Sequence, residues 1–191
     1  MINSGIIISI IALILLCMLY NAYVSVIKAK NKVKEAFSSI DVQLKKRYDL
    51  IPNILTIAKK FMEHEKGLLE EITKLRVLAM QVSNDLSQTN TKFELERQIT
   101  SKLGQITVAM ENYPQLKSDA TMIEAMRAYQ DTEEHIAAAR RFYNSAVLEL
   151  NNKTDIFPTS IIATMCGVRR MAFYEVEEAE RKPINASQFF N

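Results

Sequence analysis

Residues 6–27 form 22 consecutive positions without a charged side chain, dominated by Ile, Leu, Val, Ala and Met. As a helix rising ~1.5 Å per residue, this run spans ~33 Å, enough for a hydrocarbon core of ~30 Å. Ile6, Ile10, Leu13, Leu16, Tyr20, Tyr23 and Ile27 mark the expected anchor, with both tyrosines at the end where amphipathic rings favour the interface. A cleaved signal peptide would need a basic residue before the run and a small-x-small site after it, and neither is present. Lys28, Lys30, Lys32 and Lys34 follow directly, whereas nothing basic precedes. The positive-inside rule therefore predicts an N-terminus outside and the remainder in the cytoplasm, at the cell membrane.

Only four Gly and four Pro punctuate 191 residues, which excludes a many-stranded β fold and suits long helices joined by short loops. Hydrophobic residues at 48% support a packed core. Charge is uneven. Residues 28–47 hold seven basic against two acidic side chains, a net of +5, and the rest of the chain carries a net of −3. A basic collar beside an apolar run fits anionic lipid headgroups. No basic stripe with interleaved aromatics continues it, so nucleic acid is not an expected partner. Cys17 lies inside the apolar run and Cys166 near the other end, so no structural disulfide is expected.

Val33, Phe37, Ile40, Leu44 and Tyr48 recur at helical spacing, so one apolar stripe leaves the anchor without a break. The spacing predicts a first helix through Ile51, with Pro52 as the break. A second helix is expected over 52–82, a third over 92–113 stopped by Pro114, and a fourth from an Asp119 cap to about Asn152. The polar stretch 83–91 reads as a loop. The expected fold class is all-α: a transmembrane helix continuing into an up-down antiparallel bundle of four long helices. The expected divisions are an anchor at 1–27, the bundle at 28–155, a short apolar and basic segment at 156–174, and an extended tail at 175–191. In that topology the 83–91 loop and the 156–174 segment both lie near the bilayer. The segment either lies in the interface or packs back under the bundle's apolar rim.

Several stretches together resemble the LemA family of bacterial membrane proteins: VKEAFSSIDVQLKKRYDLIPNIL (33–55), MEHE (62–65), ENYPQLKSD (111–119), TEEHIAAARRFYNSAV (132–147) and IFPTSIIATMCG (156–167). The blocks occur in order, and the match covers the chain from about Tyr20 onward. The resemblance implies a helical bundle at the cytoplasmic membrane and carries over no catalytic residue. Phe37 stands where the family commonly has Trp, and His135 where it commonly has Asn.

Helical bundles can hold two metal ions through Glu-x-x-His pairs, but Phe61 precedes His64 by three residues and Thr132 precedes His135. Neither forms the motif. No Gly-rich phosphate loop exists, and neither cysteine has a nearby His to activate it. No cofactor or metal, and no enzymatic activity, is expected. Arg76, Glu133 and Arg140 sit on or beside apolar stripes. They either pair inside the bundle and fix helix register or keep solvated heads at the stripe edge. Lys45, Lys46 and Arg47 read as a solvated helix end. The expected role is a membrane-anchored scaffold that binds copies of itself or an unidentified protein. The alternative is a lipid-organising module acting through the collar and segment 156–174. Leu78, Met80, Val82, Ile161 and Ile162 are the candidate oligomer rim, because helices two and four, read as about thirty residues or more, would overhang the first.

Overall fold

The computed structural model describes residues 4–83 and 86–174, so the tail expected at 175–191 lies outside the described residues. Six α-helices and no strands occur among the described residues: α1 (Ser4–Ala58), α2 (Lys66–Gln81), α3 (Thr89–Ala109), α4 (Pro114–Lys117), α5 (Ala120–Asp155) and α6 (Thr159–Met165).

α1 is one helix of 55 residues, ~80 Å long, and it runs straight through Pro52. This corrects the expected break. Proline removes the N–H that would bond the Tyr48 carbonyl, and here the Arg76 Nε donates to that carbonyl instead, at 2.7 Å. The apolar stripe also continues, with Ile51, Ile54 and Ala58 almost wholly buried. Reversal comes later, in a turn over 59–65 in which the Phe61 and Met62 amides bond the Ala58 carbonyl. α2 is consequently a helix of 16 residues, not the long one expected over 52–82.

Three ties set the pairing of α1 with α5. Lys32 meets Glu149, Phe37 meets Tyr143, and Arg47 meets Glu133. Residue number falls along one helix as it rises along the other, so the pair is antiparallel over most of α5. α2 packs on α3, where Lys102 reaches Glu71 at 2.8 Å. α3 follows a 3-10 turn (Leu86–Gln88) and ends in another (Met110–Asn112); Pro114 then opens α4. Asp119 caps α5, its carboxylate accepting from the Met122 amide at 2.9 Å.

α6 packs on both α1 and α5. It ends at Gly167, whose φ of +64° is costly for a residue with a Cβ. The Gly167 amide bonds Thr164 O at 3.1 Å and the Val168 amide bonds Ala163 O at 2.9 Å, the two bonds of a Schellman cap. The chain thereby turns back along α5, and 168–174 run without helix or strand.

Candidate membrane interface

α1 is long and apolar enough, near the N-terminus, to cross a membrane. Ile6, Ile10, Leu13, Leu16, Tyr20 and Tyr23 are exposed and Ile27 is half-buried. Lys28, Lys30 and Lys34 are exposed as a collar, while Lys32 turns to Glu149 at 2.7 Å. The packed body begins before the collar: Ala22 and Val26 are already buried.

α6 lies on the anchor side of the collar. A cleft of 610 Å³ is lined by Leu16, Cys17, Leu19, Tyr20, Asn21 and Tyr23 of α1 together with Ile162. Ile162 and Ala163 face inward, whereas Ile156, Phe157, Ile161 and Met165 are exposed. The expected loop beside the bilayer is elsewhere. Met80, Val82 and Ser83 line a cleft with Asp41 and Lys45, thirteen residues or more, ~20 Å, beyond Lys28. The candidate rim is therefore split. Leu78 and Met80 are exposed and Val82 half-buried on that distant level, Ile161 is exposed beside the anchor, and Ile162 is buried. For α2 the overhang argument fails, because its 16 residues are fewer than those of α1 beyond Lys28, whereas α5 has the expected length at 36 residues.

The expected register cluster is also rearranged. Its centre is Arg47, which is fully buried. The guanidinium pairs with buried Glu96, reaches Glu133 Oε1 at 2.8 Å and donates to Thr100 Oγ1 at 2.8 Å. Tyr48 donates to the same Glu96 carboxylate, and buried Lys92 pairs with Asp41 nearby. Glu133 thus belongs to the cluster. Arg76 instead serves the Tyr48 carbonyl, and Arg140 stacks over the Tyr174 ring, 4.4 Å from its centroid. The heptad-like spacing Ile40, Leu44, Arg47, Ile51 was the available signal for Arg47. Lys45 and Lys46 are exposed. Burial pushes the Tyr48 phenol up to about 12 against the pull of Arg47, raises Tyr129 further, and raises Tyr143 to about 12.

Two asparagines hold the segment after α6. Asn151 accepts from the Met171 amide at 2.9 Å and donates to its carbonyl at 3.0 Å. Asn144 does the same for Tyr174, at 2.7 and 3.0 Å. Seven helical residues rise ~10 Å, as do three extended ones, so the two amides meet the two side chains in step. Tyr174 then packs its ring 4.0 Å from that of Phe93, which also meets Tyr143 edge-on at 5.5 Å. Phe37, the departure from the commoner Trp, belongs to this buried aromatic group, whereas His135 is exposed.

A long helix able to cross a membrane, continuous with a helical body braced by buried ion pairs, defines an all-helical protein of membrane-associated type. The LemA family pattern matches residues 36–187, and the chain belongs to the LemA family. It is 25% identical over 162 residues to Protein LemA of Metamycoplasma hominis, covering 85% of this chain and 73% of that protein. A shorter similarity, 28% over 88 residues, relates it to Magnetosome protein MamQ 2 of Paramagnetospirillum magneticum, covering 46% of this chain and 32% of that protein. Magnetosome protein MamQ of Magnetospirillum gryphiswaldense matches to the same extent at 27% identity.

Proposed function

We propose that this chain is a non-enzymatic scaffold of the bacterial cytoplasmic membrane, crossing it once with the N-terminus outside and the helical body inside. The observation that carries the reading is the unbroken α1, which joins a membrane-length segment to the body with no flexible link. A body held that way keeps one height and one tilt range above the lipid, as a platform for assembly requires. Exposed Val42 of α1 and Val77, Leu78 and Met80 of α2 lie at one level of the body. Parallel anchors bring that level of neighbouring copies side by side, and cyclic symmetry closes such contacts.

Mass measurement of the detergent-solubilised full-length protein tests this reading. A homo-oligomer, or a stoichiometric co-purifying protein, is expected, and Leu78→Glu with Met80→Lys should release the oligomer without loss of helical content. A monomer at every concentration, with no stoichiometric partner, refutes it. A cysteine placed at Asn3 should react with a membrane-impermeant thiol reagent on intact cells, and one at Ser83 should not; the reverse pattern overturns the orientation.

The alternative, a lipid-organising module acting through the collar and segment 156–174, is favoured by the position of α6 beside the anchor. Anionic-lipid binding by a form lacking the anchor separates it from the scaffold reading.

A further inference from the structure

α6 sits at a depth that its neighbours define. The α1 residues lining the cleft with Ile162 run from Tyr23 to Leu16, five to twelve residues on the anchor side of Lys28. At ~1.5 Å per residue that is ~8 to ~18 Å below the collar. A surface at that depth does not face water if α1 is the membrane span.

Its chemistry matches the depth. Ile156, Phe157, Ile161 and Met165 are 58, 75, 53 and 78% exposed, four large apolar side chains within ten residues. Both threonine hydroxyls of α6 are satisfied locally: Thr159 donates to Ile156 O and Thr164 to Ser160 O, each at 2.9 Å. Near its C-terminus the Ile162, Ala163 and Thr164 carbonyls accept from the Cys166, Val168 and Gly167 amides. Polar groups paired in this way within a segment are ones that hydrocarbon tolerates. Arg169 and Arg170 follow at once, both exposed, with Arg170 in an ion pair to Asp155 at 2.6 Å. The order is that of an interfacial helix: an apolar face, then cationic heads.

We propose that α6, with Ile156 and Phe157, is seated in the lipid leaflet on the side of the helical body. Its exposed face lies against acyl chains, a lipid chain fills the cleft between Ile162 and Leu16–Tyr23, and Arg169 and Arg170 rest among the headgroups. The anchor thus has a second, one-leaflet foot. This rests on the membrane-anchored reading of α1 and is independent of whether the body scaffolds proteins or organises lipid.

The chain has no tryptophan, so single tryptophans report depth cleanly. Full-length Phe157→Trp, Met165→Trp and Val108→Trp proteins would be reconstituted in vesicles of phosphatidylcholine and phosphatidylglycerol, with flotation to verify anchoring. Val108 is 72% exposed near the end of α3 remote from the collar, and serves as the aqueous control. Tryptophan at 157 and 165 should emit to the blue of that at 108. It should also lose intensity to lipids brominated near the headgroup end of the chain and resist aqueous iodide. If iodide quenches all three alike in protein that floats with vesicles, the proposal is overturned and the anchor stands. Protein that does not float overturns the anchored reading itself.

Discussion

The Arg76 side chain completes a hydrogen bond in a helix to which it does not belong: its Nε donates to the Tyr48 carbonyl, 2.7 Å away, the acceptor that Pro52 leaves without an amide. A kink at Pro52 is therefore not forced, and α2 is pinned to α1 at the point of greatest backbone need. Arg76→Leu should cost ~1–3 kcal/mol, the range for a buried acceptor left unpaired. In a Pro52→Ala background the new amide can serve Tyr48, so the same change should cost less. Denaturant unfolding followed by circular dichroism measures this cycle, and strict additivity would show that the carbonyl is not what Arg76 supports.

Arg47 is held by carboxylates from two other helices, Glu96 of α3 and Glu133 of α5. Arg47→Met strands Glu96 in the core and should cost ~3–5 kcal/mol, as breaking one side of a buried pair does. Adding Glu96→Leu removes the stranded charge, and most of the loss should return. Thermal melts of the single and double variants decide it; an equal or larger loss in the double variant counts against a charge-pairing role.

Burial raises the Tyr48 and Tyr143 phenols from 10 to about 12. Between those values the unfolded chain releases protons that the folded chain keeps. Stability is thus complete below pH 10 and falls as pH rises toward 12, by ~1.4 kcal/mol per pH unit for each tyrosine at most. Tyr143→Phe should make the alkaline decline shallower. An unchanged slope in unfolding midpoint against pH would be the contrary result.

Asn144 and Asn151 each offer a donor and an acceptor to one backbone residue of the returning segment. Asn151→Ala should expose the Met171 amide, and Asn144→Ala the Tyr174 amide, to faster hydrogen exchange. Each lost bond is worth ~0.5–1.5 kcal/mol. Protection of both amides that survives both changes would mean that Tyr174 packing alone holds the segment.

Where apolar periodicity and a local cap agree, sequence and structure coincide. Val33 to Tyr48 are buried as spaced, and Asp119 caps α5 through the Met122 amide. The misreadings share one cause. Residue type alone makes Pro52 a breaker and Arg47 a solvated cation, yet each is reversed by a partner remote in sequence, Arg76 in one case and Glu96 with Glu133 in the other. The same bias hid Lys92 and Glu96 on the core face of α3. From the misplaced turn came the wrong length for α2, and from that length the notion of one membrane-side rim.

The antiparallel pairing of α1 with α5 fixes an order of events during synthesis. Lys32 waits 117 residues for Glu149, and the asparagine grip on 171–174 closes later still. The stripe from Val33 to Ala58 is made early and stays uncovered on that side until α5 has been translated. Contacts so distant along the chain form slowly, and an uncovered apolar helix invites aggregation meanwhile. An anchor inserted first would keep each nascent chain in the plane of its own membrane through that interval.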